Sequence, residues 1–132
     1  MEEARFFVYR LGHLLIDNEH LGILSRMDRA KIAAVADSTD HLKVALEEIL
    51  SSTKSHFSHE EALMDSSGYP YRDWHKVGHQ KILEKLDALS SKFFELSKRT
   101  YAERFFSESL EKIILTHIDE QDRQLVEWMS KQ

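Results

Sequence analysis

Apolar residues recur at helical spacing along four stretches of this chain. Leu21, Leu24, Met27 and Ile32 mark the first, and Leu42, Leu46, Ile49, Leu50, Phe57, Ala62 and Met64 the second. Trp74, Ile82, Leu86, Leu89 and Phe93 mark the third. Phe105, Leu110, Ile113, Ile114, Ile118, Leu125 and Trp128 mark the fourth. Steps of three and four residues place such side chains on one face of a helix. The first helix is expected to start near Asp17, whose carboxylate can accept the free N–H groups of a first turn. Ser38-Thr39-Asp40 separates it from the second helix, which should stop at Ser66-Ser67-Gly68, before Tyr69-Pro70. The third runs from about Tyr71 to Ser97, and a short link near residues 98–100 leads to the fourth. Ahead of them, residues 1–16 form an apolar arm with Phe6, Phe7, Tyr9, Leu11, Leu14 and Leu15, interrupted by Gly12, and it reads as a strap across the helices. Short links between long helices make neighbours antiparallel. The predicted fold is all-α: an up-down-up-down antiparallel four-helix bundle with an N-terminal arm, in one domain over residues 1–132.

Composition agrees and narrows the chemistry. The 132 residues hold only 4 Gly and 1 Pro, which suits long helices, and 42% hydrophobic content supplies a core. The net charge of −5 comes with no basic cluster that could follow phosphates, so nucleic acid is not an expected partner. There is no Cys, which excludes disulfides, thiolate metal sites, iron–sulfur clusters and cysteine nucleophiles. No apolar run is long enough to span a bilayer, and the acidic N-terminus lacks the form of a secretory signal. A cytoplasmic protein with no membrane partner is the expectation. Against this background, 8 His is a high count.

Their placement matters more than their number. His56 and Glu60 are four apart on the second helix, as are His75 and His79 on the third. Residues at i and i+4 share a helical face, so each pair can aim two donor atoms at one interior point. His117 on the fourth helix is followed by Glu120 and Asp122, and His20 lies in the first turn of the first. One His on a helix is usually solvated or a hydrogen-bonded core residue. Four successive helices that each bring a donor among apolar neighbours (Phe57, Leu63, Trp74, Ile82, Ile118) describe the way bundles build metal sites. Imidazole-rich donors suit iron, copper or zinc, and spacing does not choose among them.

Four runs carry a resemblance. Ile16-Asp17-Asn18-Glu19-His20, the stretch from His56 through Phe57, Ser58, His59, Glu60, Glu61, Ala62 and Leu63 to Met64, Trp74-His75-Lys76-Val77-Gly78-His79, and His117-Ile118-Asp119-Glu120-Gln121-Asp122 resemble, in order, the signatures of the bacterial hemerythrins. The resemblance spans nearly the whole chain. It implies two iron ions with an oxo or hydroxo bridge. It implies ligation of one iron by His75, His79 and His117, and of the other by His20 and His56. Glu60 and Asp122 would bridge the two. On that count one coordination position stays open, on the iron held by His20 and His56, and dioxygen can bind there. Phe57, Ile114 and Ile118 are expected to line that position.

Two points sit badly with simple helix geometry or with the family pattern. At roughly 100° per residue, i+5 is rotated by about 140°, so a regular α-helix would pair His117 with Glu120 rather than Asp122. The resemblance alone selects Asp122. Ile113 also stands where family members often have Trp. His13, His41 and His59 fall outside the pattern, and Glu61 matches a family position that is not a ligand.

The implied function is reversible dioxygen binding as a carrier, store or delivery protein, not catalysis. The alternative is an oxygen or redox sensor domain joined to a C-terminal signalling output such as a diguanylate cyclase or chemoreceptor. Di-iron enzymes of the ferritin type use Glu-x-x-His motifs, and none stands at the motif positions here.

Overall fold

The computed structural model describes residues 10–35, 39–96 and 109–132, without the side chains of 34, 35, 39, 40, 89, 90 and 92–96. Within these, α1 spans Leu14–Val35, α2 Thr39–Ser67 and α3 Arg72–Leu96. The fourth helix is composite: Ser109 and Leu110 have π geometry, and α4 (Glu111–His117), a π turn (Ile118–Asp122) and α5 (Arg123–Ser130) follow. No strand occurs among the described residues. Consecutive helices pack side by side, α1 on α2, α2 on α3 and α3 on α4, which gives the all-α bundle that the periodicity predicts. Phe6, Phe7 and Tyr9 of the arm, Ser38, the link at 98–100, Phe105, and the side chains of Asp40, Leu89 and Phe93 lie outside the described residues.

The helix ends follow local rules, with one correction. The first helix starts a turn before Asp17. Gly12 takes φ 97°, and His13 then caps the helix, its Nδ1 accepting the Ile16 N–H at 3.3 Å and its carbonyl the Asp17 N–H at 2.8 Å. The Asp17 carboxylate reaches backward instead and accepts the N–H groups of Leu11 at 2.8 Å and Gly12 at 2.9 Å. It fastens the end of the arm to the first turn. The α2 terminus has the expected glycine stop. Gly68 sits at φ 73°, and the Tyr69 N–H bonds back to the Met64 carbonyl at 3.0 Å. Tyr69 and Met64 then pack together in the core, which is the hydrophobic contact that accompanies this motif.

Among the described residues the interior has two apolar clusters. The larger holds Ile23, Leu24, Met27, Phe57, Ile82, Leu86, Ile114 and Ile118, among others. The smaller holds Ile16, Met64, Tyr69, Leu125 and Val126. Buried polar side chains fall between residues of the two clusters on three helices, His20 on α1, Glu60 on α2 and Asp122 on the fourth, and His75, His79 and His117 are buried beside them. Several expected apolar positions are not in the core. Ile32 and Ala62 are exposed, Leu14 and Leu15 of the expected strap stand exposed in the first turn of α1, and Trp74 keeps 49% of its surface in solvent. The inward face of α3 is set by His75, His79, Ile82 and Leu86, and Trp74 points about 100° away from it.

Candidate metal centre

Each donor has a regular helix behind it. His56 and Glu60 share a face of α2, and His75 and His79 share a face of α3, as i and i+4 positions must. The fourth helix needs something else. Its π turn takes one extra residue, and the Arg123 N–H reaches five residues back to the Ile118 carbonyl. That widening brings Asp122 onto the face of His117, with Oδ1 and Nε2 3.0 Å apart. Asp122 is fully buried and Glu120 is exposed, so the regular-helix preference for Glu120 is overturned by a local change of helix type.

Seven donors meet in the core as two groups, Glu60–His75–His79–His117–Asp122 and His20–His56–Glu60–Asp122, with the two carboxylates common to both. The oxygens divide between the groups. Glu60 Oε1 lies 2.7 Å from His75 Nε2 and 2.9 Å from His79 Nε2, and Asp122 Oδ1 lies 3.0 Å from both His75 Nε2 and His117 Nε2. The other two oxygens face the second group. Asp122 Oδ2 is 2.9 Å from His20 Nε2, and Glu60 Oε2 is 3.2 Å from His56 Nε2.

Several of these contacts are not hydrogen bonds. His56 Nε2, His117 Nε2 and Glu60 Oε2 are buried within 3.0–3.2 Å of an opposite donor or acceptor, yet none has a hydrogen-bond partner in acceptable geometry. Native interiors rarely leave such atoms unpaired. Lone pairs that converge on a common point, rather than along N–H···O lines, are what a metal ion requires. By this test the residues fit a cation of imidazole and carboxylate preference.

Electrostatics without an ion point the same way. Burial lowers the basicity of His56, but the adjoining Asp122 and Glu60 carboxylates outweigh it and push its pKa up to about 11. The same opposition leaves His75 at about 9. Burial and Asp122 would raise Glu60, but contacts with His56, His75 and His79 hold it at about 2. Burial likewise disfavours charge on Asp122, and His117, His20 and His56 keep it well below the usual carboxylate range. The carboxylates are therefore ionised and two imidazoles carry protons that a metal would displace.

Around these donors stands a layer that the motifs did not reveal. His56 Nδ1 donates to Glu19 Oε1 at 2.9 Å, and His79 Nδ1 donates to Glu61 Oε2 at 2.8 Å. Glu19 Oε2 also meets the exposed His59, 2.6 Å away. Glu19 directly precedes His20, and Glu61 directly follows Glu60, so a carboxylate beside each ligand motif was the available signal. Such partners fix the tautomer and ring orientation of ligating histidines. The Phe57 ring stacks on His79 with centroids 3.8 Å apart and planes 8° from parallel. Ile114 and Ile118 are buried in the same apolar cluster as Phe57. His13 is the helix cap described above and His41 is exposed.

Comparison with known proteins agrees with this geometry. The family model of the hemerythrin HHE cation binding domain matches residues 12–129. A bacteriohemerythrin of Campylobacter jejuni is 31% identical over 88 residues, 62% of each chain. One from Stenotrophomonas maltophilia is 28% identical over 76 residues, 58% of this chain and 50% of that one. One from Clostridium acetobutylicum is 25% identical over 126 residues, 90% of this chain and 95% of that one. The chain thus spans about half to three fifths of the length of the first two relatives. No solved structure gives a significant match. Among the described residues no helix is long and apolar enough to cross a membrane.

Proposed function

The chain belongs to the hemerythrin family, and from that premise we propose that it binds dioxygen reversibly, as a carrier or store, at two irons joined by an oxo or hydroxo bridge. The observation that carries this reading is the division of the carboxylate oxygens, one from Glu60 and one from Asp122 to each donor group. Two carboxylates placed in this way span a pair of metal positions rather than enclose one. His75, His79 and His117 supply three nitrogens on one side and His20 and His56 two on the other, so the donor set is one short on the side of His20. When bound, a pair of ferrous ions supplies two electrons that can be lent to dioxygen and recovered.

The chain's own side chains do the rest. Glu60 and Asp122 offset the metal charge inside a low-dielectric core, where an uncompensated cation would be costly. Glu19 and Glu61 hold His56 and His79 with their Nε2 atoms turned inward. Phe57 stacks on His79 and, with the buried Ile114 and Ile118, keeps water away from the donors.

The test is metal analysis joined to an absorption spectrum of the reduced protein taken first without oxygen and then with it. About two irons per chain and a band that appears with oxygen and leaves on its removal are the expected result. A single metal, zinc in place of iron, or an oxygen-independent spectrum would refute the reading.

A further inference from the structure

Between α3 and the fourth helix runs a surface groove of about 700 Å³, a volume usual for small-ligand sites. Lys81 and Lys85 line it from α3 and Lys112 from the fourth helix, and Ile82 and Ile113 line it with them. We propose that this groove binds a small multivalent phosphate, as an organic ester or as the inorganic ion.

The two helices place the lysines together. His75 meets Asp122 at 3.0 Å, and the His79 ring centroid lies 4.9 Å from that of His117, so α3 and the fourth helix run antiparallel. Lys85 is six residues beyond His79 on α3, and Lys112 is five residues before His117 on the fourth helix. At 1.5 Å per residue the two stand at levels within roughly 2 Å of each other along the bundle axis. Lys81 lies one turn from Lys85 on the same face of α3.

Their charge is uncompensated. The lining sets three Lys against one carboxylate, Glu120, in a chain whose net charge is −5. Glu120 is about two turns along the fourth helix from Lys112 and so lies toward the other end of the groove. Glu111, next to Lys112 in sequence, pairs with Lys31 of α1 instead. Among the described residues none of the three groove lysines has an ion-pair partner. Like charges one turn apart on a helix, as on Lys81 and Lys85, repel each other. A cleft lined by one sign of charge concentrates ions of the other sign, and an anion seated there relieves the repulsion.

The donors choose among anions. Ser109 and Thr116, a turn before and a turn after Lys112, also line the groove. Hydroxyl and ammonium donors thus stand on the fourth-helix wall and ammonium donors on the α3 wall. A tetrahedral phosphate turns oxygens toward both walls at once, which a planar carboxylate does not, and Lys holds phosphate as a point charge. The three lysines are split between two helices, so no basic run in the sequence announces them. None belongs to the seven metal donors, so the proposal stands apart from the dioxygen reading.

The iron-loaded full chain is titrated by calorimetry with inorganic pyrophosphate, with ADP and with adenosine, and its iron content is measured before and after so that chelation is told apart from binding. Saturable binding of pyrophosphate, of ADP or of both is expected, weakened by added salt, with none of adenosine. Tighter binding of ADP identifies an organic phosphate as the occupant, and tighter binding of pyrophosphate the inorganic ion. Lys85→Gln and Lys112→Gln should each weaken binding about tenfold, the scale of one charge-assisted hydrogen bond. Lys43→Gln, outside the groove, should leave it unchanged, and all three variants should keep their iron. No saturable binding of either phosphate, heat that tracks loss of iron, adenosine binding as tightly as ADP, wild-type affinity in either groove variant, or an equal loss in Lys43→Gln would each overturn the proposal.

Discussion

Deleting Glu120 is the sharpest perturbation of the metal centre that the structure suggests. The π turn exists because five residues separate His117 from Asp122, one more than an α-helical face allows. With Glu120 removed, Asp122 becomes the fourth residue after His117, about 40° from it around a regular helix and roughly 6 Å along the axis. The carboxylate then stays on the correct face without a π turn. Leu125 and Val126 also keep their buried register, because the extra residue was absorbed within a single turn. Glu120 is itself exposed, so the stability of the metal-free protein should change by about 1 kcal/mol or less. Asp122→Ala is the contrast. It removes the counter-charge that His20, His75 and His117 meet within 3.0 Å, and breaking a buried charged group of this kind costs about 3–5 kcal/mol. At a urea m-value of about 1–3 kcal/mol/M, the two metal-free variants should differ in midpoint by about 1 M or more. Metal content should follow the same order, with the deletion loaded and Asp122→Ala depleted. If the deletion loses metal as fully as Asp122→Ala, sharing a face is not what the π turn provides, and the reasoning fails.

Three further outcomes follow from the same geometry. Glu61→Leu should weaken metal binding by about 10–100-fold, and Glu61→Gln by less because an amide oxygen can still accept from His79; equal affinity in all three forms by cobalt titration would remove Glu61 from the site. In the metal-free protein His56 and His75 are raised to about 11 and 9, so their contribution is complete below about 6.5 and is lost as pH climbs through those values; Glu60, lowered to about 2, stabilises above about 4.5 and loses this as pH falls. Melting temperature should therefore decline from neutral pH toward about 10 and again in acid, while metal affinity rises with pH because the ion displaces protons, and a metal-free Tm that is flat or rising above neutrality would contradict these assignments. Phe57→Ala should destabilise the fold by about 3–5 kcal/mol, since the ring is 3% exposed and stacked on His79, and a loss under about 1 kcal/mol in a denaturation curve would show that the stack is not packed as described.

What the sequence made legible was periodic. The four helices and the inward pairs His56/Glu60 and His75/His79 rest on steps of three or four residues, and the stop at Gly68 on a local glycine signal. What it hid lay where a different rule applied. Asp17 has the chemistry of a cap, but Gly12 could take a left-handed turn five residues earlier and His13 became the cap. Trp74 looks like core by hydrophobicity, and only the demand that His75 and His79 face inward turns it out. Glu19 and Glu61 carry no period at all. They are recognisable only once the rings of His56 and His79 are in place.

Asp122 joins these cases to the architecture. Glu60 rises from the same helix as His56 but sends Oε1 across to His75 and His79 on α3. Asp122 follows His117 but sends Oδ2 across to His20 on α1. Each carboxylate thus ties its own helix to another, and donors for both groups come together only when all four helices are docked. Binding at this centre and closure of the bundle are then one equilibrium, so any free energy of metal binding adds to the stability of the packed state. A regular α-helix would have left Asp122 rotated away from that junction. The π turn at Ile118–Asp122 lies where the demands of the site and the regular period disagree, and there the site prevails.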